Sequence, residues 1–93
     1  MVQEISLGPR LEIRDVEAAH RQLVQAVAGA ASVRVDVSRI TAVDTAGAQL
    51  LLALVREAER RVIGLEFSGK SIALEAALES LGLAEVSARC TSR

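Results

Sequence analysis

The sequence predicts one α/β domain: a four- to five-stranded mixed sheet with about three helices packed mainly on one face. Three observations lead there. Segments that alternate apolar and polar residues take turns with segments whose apolar residues recur at helical spacing, the signature of crossover connections and a largely parallel inner sheet. The hydrophobic fraction is 51% with Phe67 the only aromatic residue, so the core is aliphatic. No linker, repeat or low-complexity stretch divides the 93 residues, a length that suits a single core. With so few residues, one helical layer is the economical arrangement, and the other sheet face is left partly open. The domain is expected to span residues 1–89, with 90–93 a loose tail.

Val2 to Leu7 alternates as a half-buried strand does. Gly8-Pro9 signals a turn and Arg10 to Arg14 alternates again, so a hairpin is expected at the start. Asp15 suits the N-cap of a helix whose apolar face is Val16, Ala19, Leu23, Ala26 and Val27, stopped near Gly29. Val33, Val35 and Val37 share one face of a strand, with Arg34 and Asp36 on the other. Asp44 opens a second helix with Gly47, Leu50, Leu51, Leu54, Val55 and Ala58 on its buried stripe. Val62 to Phe67 is a further strand, in which Gly64 marks a bulge or a close approach. Ser71 caps a third helix carrying Leu74, Ala77, Leu78 and Leu81, Gly82 stops it, and Ala84 to Ala88 reads as a short last strand.

Composition narrows the function. A net charge of −1 and a pI near 5.8 give no basic footprint for nucleic acid or anionic lipid. The near absence of aromatics argues against base stacking. Cys90 is the only cysteine, so no internal disulfide is expected. MVQEISLGPR lacks the apolar core of a signal peptide, and no apolar run approaches the ~20 residues that span a bilayer. A cytoplasmic domain without direct membrane insertion is therefore expected. For catalysis the chain offers little. His20, the only histidine, lies beside Arg21 away from the apolar stripe. No cluster has metal-ligand spacing, and FSGKS lacks the upstream glycine of a phosphate loop, so Gly69 and Ser71 read as turn and cap. No catalytic residue, metal or cofactor is expected.

The most informative stretch is VDTAGAQLLLALVREAERR, Val43 to Arg61. Asp44 is placed to accept the free N–H groups of the helix's first turn. Thr45, Gln49, Leu52 and Arg56 follow at i, i+4, i+7 and i+11, beside the buried stripe rather than on it. With Ala48 and Leu52 as its apolar members and a polar rim around them, this stripe is expected to be an exposed partner surface.

Here the chain resembles the STAS domains, the family named for sulfate transporters and anti-sigma-factor antagonists. The resemblance rests on Asp36-Val37-Ser38 at a strand end, Asp44-Thr45-Ala46-Gly47 opening a leucine-rich helix, and Leu81-Gly82-Leu83 after the third helix. It implies a STAS-like, non-enzymatic domain that regulates a protein partner through the start of that helix. Together with the stripe read from the helical wheel, this gives as expected site residues Asp44, Thr45, Ala48, Gln49, Leu52 and Arg56. In the anti-sigma-factor antagonists a partner kinase phosphorylates the residue before the glycine; here that residue is Ala46, which has no hydroxyl, and Thr45 is the nearest substitute. The implied partner is a kinase-type anti-sigma factor or a chemotaxis-type kinase. The alternative is the ATPase of a phospholipid-transport ABC system, with a nucleotide or lipid ligand as a further reading.

Overall fold

The computed structural model describes residues 2–91. Val2–Ser6 forms β1, Arg10–Leu11 β2, Val16–Val27 α1, Ser32–Asp36 β3, Ala42–Val43 β4, Thr45–Arg61 α2, Gly64–Ser68 β5, Ile72–Leu81 α3, Ala84–Ser87 α4 and Cys90–Thr91 β6; a 3-10 turn at Ile13–Asp15 precedes α1. The main sheet has the order β1-β3-β5-β6, and β2 pairs with β4 in a separate small ladder. Every ladder among the described residues is parallel, so the mixed sheet of the sequence reading resolves into a parallel one.

Period-two patterning decides which sheet face is dry. Val33 and Val35 on β3 stand beside Leu65 and Phe67 on β5, and all four are buried. Beneath the helices they meet Leu23 and Val27 from α1, Leu51 and Val55 from α2, and Leu74 and Leu78 from α3. Each such aliphatic side chain contributes roughly 1.5–3 kcal/mol when fully buried, which makes this single layer the main source of stability. On the other face Arg34 lies between two strands' carboxylates, its Nη1 2.9 Å from Glu4 and its Nε 2.6 Å from Glu66. The row is exposed and screened by salt, so it adds little stability. Its effect is on register: slipping a strand by one residue would send these charges into the core.

Five expectations are corrected. The hairpin does not form: β1 pairs with β3, and after Gly8-Pro9 the chain keeps to the exit of β3, with the Thr41 N–H bonded to the Pro9 carbonyl at 2.7 Å. The second strand ends at Leu11, because the Asp15 carboxylate accepts the Glu12 N–H at 3.0 Å and closes the 3-10 turn. That use of Asp15 leaves α1 without a side-chain cap at its start. Ala84 to Ala88, read as a strand, is the helical turn α4: only Val86 is buried, and one inward residue carries no period. Of the residues expected in a loose tail, Cys90 and Thr91 form β6, which pairs with β5 through Phe67↔Cys90, and Ser92 and Arg93 lie outside the described residues.

Other expectations hold with small shifts. Ser71 caps α3, accepting the Leu74 N–H at 3.1 Å, and Gly82 ends it in the left-handed conformation. Val62, read as strand, is the left-handed cap of α2, so β5 begins at Gly64. Gly64 is a close approach and not a bulge: a Cβ there would lie 3.1 Å from that of Ser32, its partner in an unbroken register.

The tightest approach is at Gly47, in the first turn of α2. A Cβ at this position would collide with the Leu11 carbonyl oxygen and lie 2.9 Å from its carbon. Backbone cannot yield as a side-chain tip can, so Gly47→Ala is expected to lower stability by about 3 kcal/mol. Urea unfolding would register this as a fall in midpoint at unchanged slope.

Candidate functional site

In a parallel sheet whose strands are joined by helices, each helix begins at the strands' C-terminal ends. That end of this molecule gathers the 3-10 turn, the β2–β4 ladder, the start of α2 and the start of α3. Asp44 organises it. One carboxylate oxygen accepts the Gly47 N–H at 3.0 Å, capping α2, and the other accepts the Ile13 N–H at 2.9 Å. The Asp44 N–H in turn reaches the Leu11 carbonyl at 3.4 Å. These bonds, that of Gly47 first and that of Ile13 second, hold the Asp44 carboxyl below its ordinary range. On the α3 side, the buried Ser71 hydroxyl donates to the Ile40 carbonyl at 2.7 Å, which ties α3 to the loop before β4.

The stripe expected to form the partner surface is divided by the structure. Thr45 and Gln49 are exposed. Ala48 is fully buried and Leu52 is only 8% exposed, so neither belongs to a surface. The physical reason is that α2 is flanked by α1 on one side and by α3 and α4 on the other, and this widens its buried arc beyond the sheet-facing stripe. Arg56 is exposed but stands eleven residues from Thr45, about 16 Å along the helix axis. There it pairs with Glu85 of α4 at 3.3 Å, remote from the helix mouth.

Asp36 and Ser38 serve a turn. The Asp36 carboxylate accepts the Ser38 N–H at 2.9 Å, and the Ser38 hydroxyl followed by that N–H holds its carboxyl below the usual range. Gly69 closes over this turn, where a Cβ would lie 2.7 Å from that of Ser38. The turn lies at the rim of the open side of the sheet, with Lys70 beside it.

Two residues at the helix mouth escaped the sequence reading. Ile13 is 71% exposed in the 3-10 turn that packs on α2, and Ile72 is 76% exposed in the first turn of α3, the helix that packs on α2 and β4. Ile13 falls in the Arg10–Arg14 alternation, which predicts a strand. Ile72 carried a readable signal: it precedes Leu74 by two and lies outside the stripe of Leu74, Leu78 and Leu81. Among the described residues, no group of three His, Cys, Asp or Glu side chains is arranged to hold a metal ion. The Cys90 thiol is pushed up by burial and then by Glu75. Among the described residues, no helix is long and apolar enough to cross a membrane.

Comparison with known proteins agrees with this geometry. Residues 2–88 match the family described as "Mlab, STAS domain", and the chain belongs to that family. Two solved structures share the fold. A sulfate transporter family protein from Wolinella succinogenes is 20% identical, with a TM-score of 0.77 over 96% of this chain and 75% of that one. The anti-sigma factor antagonist SpoIIAA in its unphosphorylated form is 16% identical, with a TM-score of 0.77 over 98% of this chain and 80% of that one. No curated protein matches the chain in sequence.

Two outcomes follow from the site's geometry. Leu52→Ala is expected to cost about 2–4 kcal/mol in chemical unfolding, as a core leucine does, whereas a surface leucine would cost almost nothing. Asp44 and Asp36 bind protons less readily folded than unfolded, so their contribution is present above pH ~4 and is lost as pH falls through the lowered native values. The midpoint of thermal unfolding should therefore fall on acidification below pH ~4, and Asp44→Asn should flatten that fall while lowering the midpoint at neutral pH.

Proposed function

We propose that the chain is a cytoplasmic, non-enzymatic regulatory domain that docks a protein partner with the end of the molecule around Asp44, Thr45 and Gln49. The observation that carries this reading is the pair of exposed isoleucines, Ile13 and Ile72, in two turns whose elements both pack on α2. Two large apolar side chains on a polar surface, beside a helix mouth braced by Asp44, have the anatomy of an interface centre. SpoIIAA is an anti-sigma factor antagonist, and its fold is the fold of this chain. A signalling partner of the kinase or anti-sigma-factor kind is the first candidate. Ala48 and Leu52 act from inside, by holding α2 in place, and Arg56 lies outside the docking face.

Ala46 favours a second candidate for the partner. It has no hydroxyl to carry a phosphate, so docking at this helix is constitutive unless the neighbouring exposed hydroxyl of Thr45 is modified. A permanently docked domain suits an accessory subunit on a transporter ATPase. Intact-mass analysis of the protein from cells would show one added phosphate, lost in Thr45→Ala, if the signalling route is switched in this way.

Docking itself is tested by site-specific photo-crosslinking of the whole chain in cells. A crosslinking residue at position 13 or 45 is expected to give a covalent protein adduct. The same residue at position 62, which is 89% exposed at the far end of α2, should give none. Adducts from 62 and not from 13 or 45 would place the interface elsewhere.

A further inference from the structure

The charges around the helix mouth are unevenly used. The acids at this end, Glu12, Asp15, Asp36 and Asp44, are all half-buried, and three of them spend their carboxylates on backbone N–H groups. Glu17, on the first turn of α1, is paired with Arg21, and Glu75 on α3 acts on Cys90. The cations are Arg10 on β2, Arg14 in the 3-10 turn, Arg39 in the loop after β3, and Lys70 just before α3. All four are exposed, and among the described residues none has a carboxylate within ion-pair distance, though Arg39 is near enough for its charge to help lower the Asp36 carboxyl. Elsewhere the pattern is the reverse: Arg34, Arg56, Arg60, Arg61 and Arg89 each have a carboxylate partner. The unpaired cations thus collect at the end that also exposes Ile13 and Ile72.

We infer that the surface this end recognises is an acidic protein surface with an apolar centre, its carboxylates set opposite Arg10, Arg14, Arg39 and Lys70 and its apolar residues against Ile13 and Ile72. The inference rests on the docking reading above and specifies the partner's chemistry. Charge complementarity of this kind steers encounter and rejects partners of the wrong sign. An anionic membrane is the other surface that cations and isoleucines suit, but it is uniformly negative. The four half-buried acids interspersed among the cations would face it unfavourably, whereas a protein can place its carboxylates opposite the cations alone.

The test is a titration of the isotope-labelled full chain, followed by amide NMR. The probes are a synthetic amphipathic peptide of about eighteen residues with a leucine face and a glutamate rim, its lysine counterpart, and phosphatidylglycerol-containing vesicles. The glutamate peptide should shift the amides of Ile13, Thr45 and Ile72, with an apparent affinity at least about tenfold above that of the lysine peptide. That affinity should fall by a similar factor between about 50 and 500 mM salt, and in the variant carrying Arg14→Glu and Lys70→Glu. Equal binding of the two peptides, or failure of the glutamate peptide to bind, would overturn the inference. So would vesicles that shift these amides where the glutamate peptide does not. Crosslinking from position 45 is read independently, so an adduct there together with an inert acidic peptide would sink the charge assignment and leave docking standing.

Discussion

The first turn of α2 lies directly on the backbone of Leu11, with no room for a side chain at Gly47, and Asp44 bonds both that turn and Ile13. Most of the architecture follows from this join. It brings the segment after β1 alongside the segment after β3, so β2 and β4 can pair although they belong to no wider sheet. It sets the depth at which α2 sits on the sheet, and so which of its leucines are dry. It also presents Thr45 and Ile13 side by side. A helix cap worth little in isolation becomes a tertiary constraint because its second oxygen is spent on another element.

The two sheet faces show how a small parallel sheet can leave one side bare. Parallel sheets are usually covered on both faces. Here the uncovered face carries serines, Asp36 and the Glu4–Arg34–Glu66 row, whose charges satisfy one another across three strands. That face therefore needs no cover. The helix mouth differs in kind, since Ile13 and Ile72 stay exposed and, among the described residues, none of its four cations has a carboxylate within ion-pair distance. The asymmetry between a self-satisfied face and an unsatisfied end is what directs attention to the end.

Much of this was legible from residue patterns. Helix faces, the caps at Asp44 and Ser71, the stop at Gly82 and the buried valines of β3 all follow from local rules, because each depends on neighbours within a turn or on the alternation of one strand. Short segments were misread where a single competing bond decided the outcome: Asp15 chose Glu12 over the start of α1, and the five residues around Val86 were too few to distinguish periods. The surface assignment of Leu52 failed for a different reason. A helical wheel shows where a face points and not what lies opposite it.

The sequence by itself determined the alternation of strands and helices, the aliphatic core and the motif at the mouth of α2, since these are properties of periodicity and of local backbone chemistry. Only the tertiary structure decided that α2 is walled on both flanks by α1 and by α3 with α4, which turned Ala48 and Leu52 inward. Only it brought the elements of Ile13 and Ile72, fifty-nine positions apart in the chain, against the same helix α2 with both side chains exposed. Exposure depends on which elements become neighbours, and that is set by the packing of the whole chain around Gly47 and Leu11.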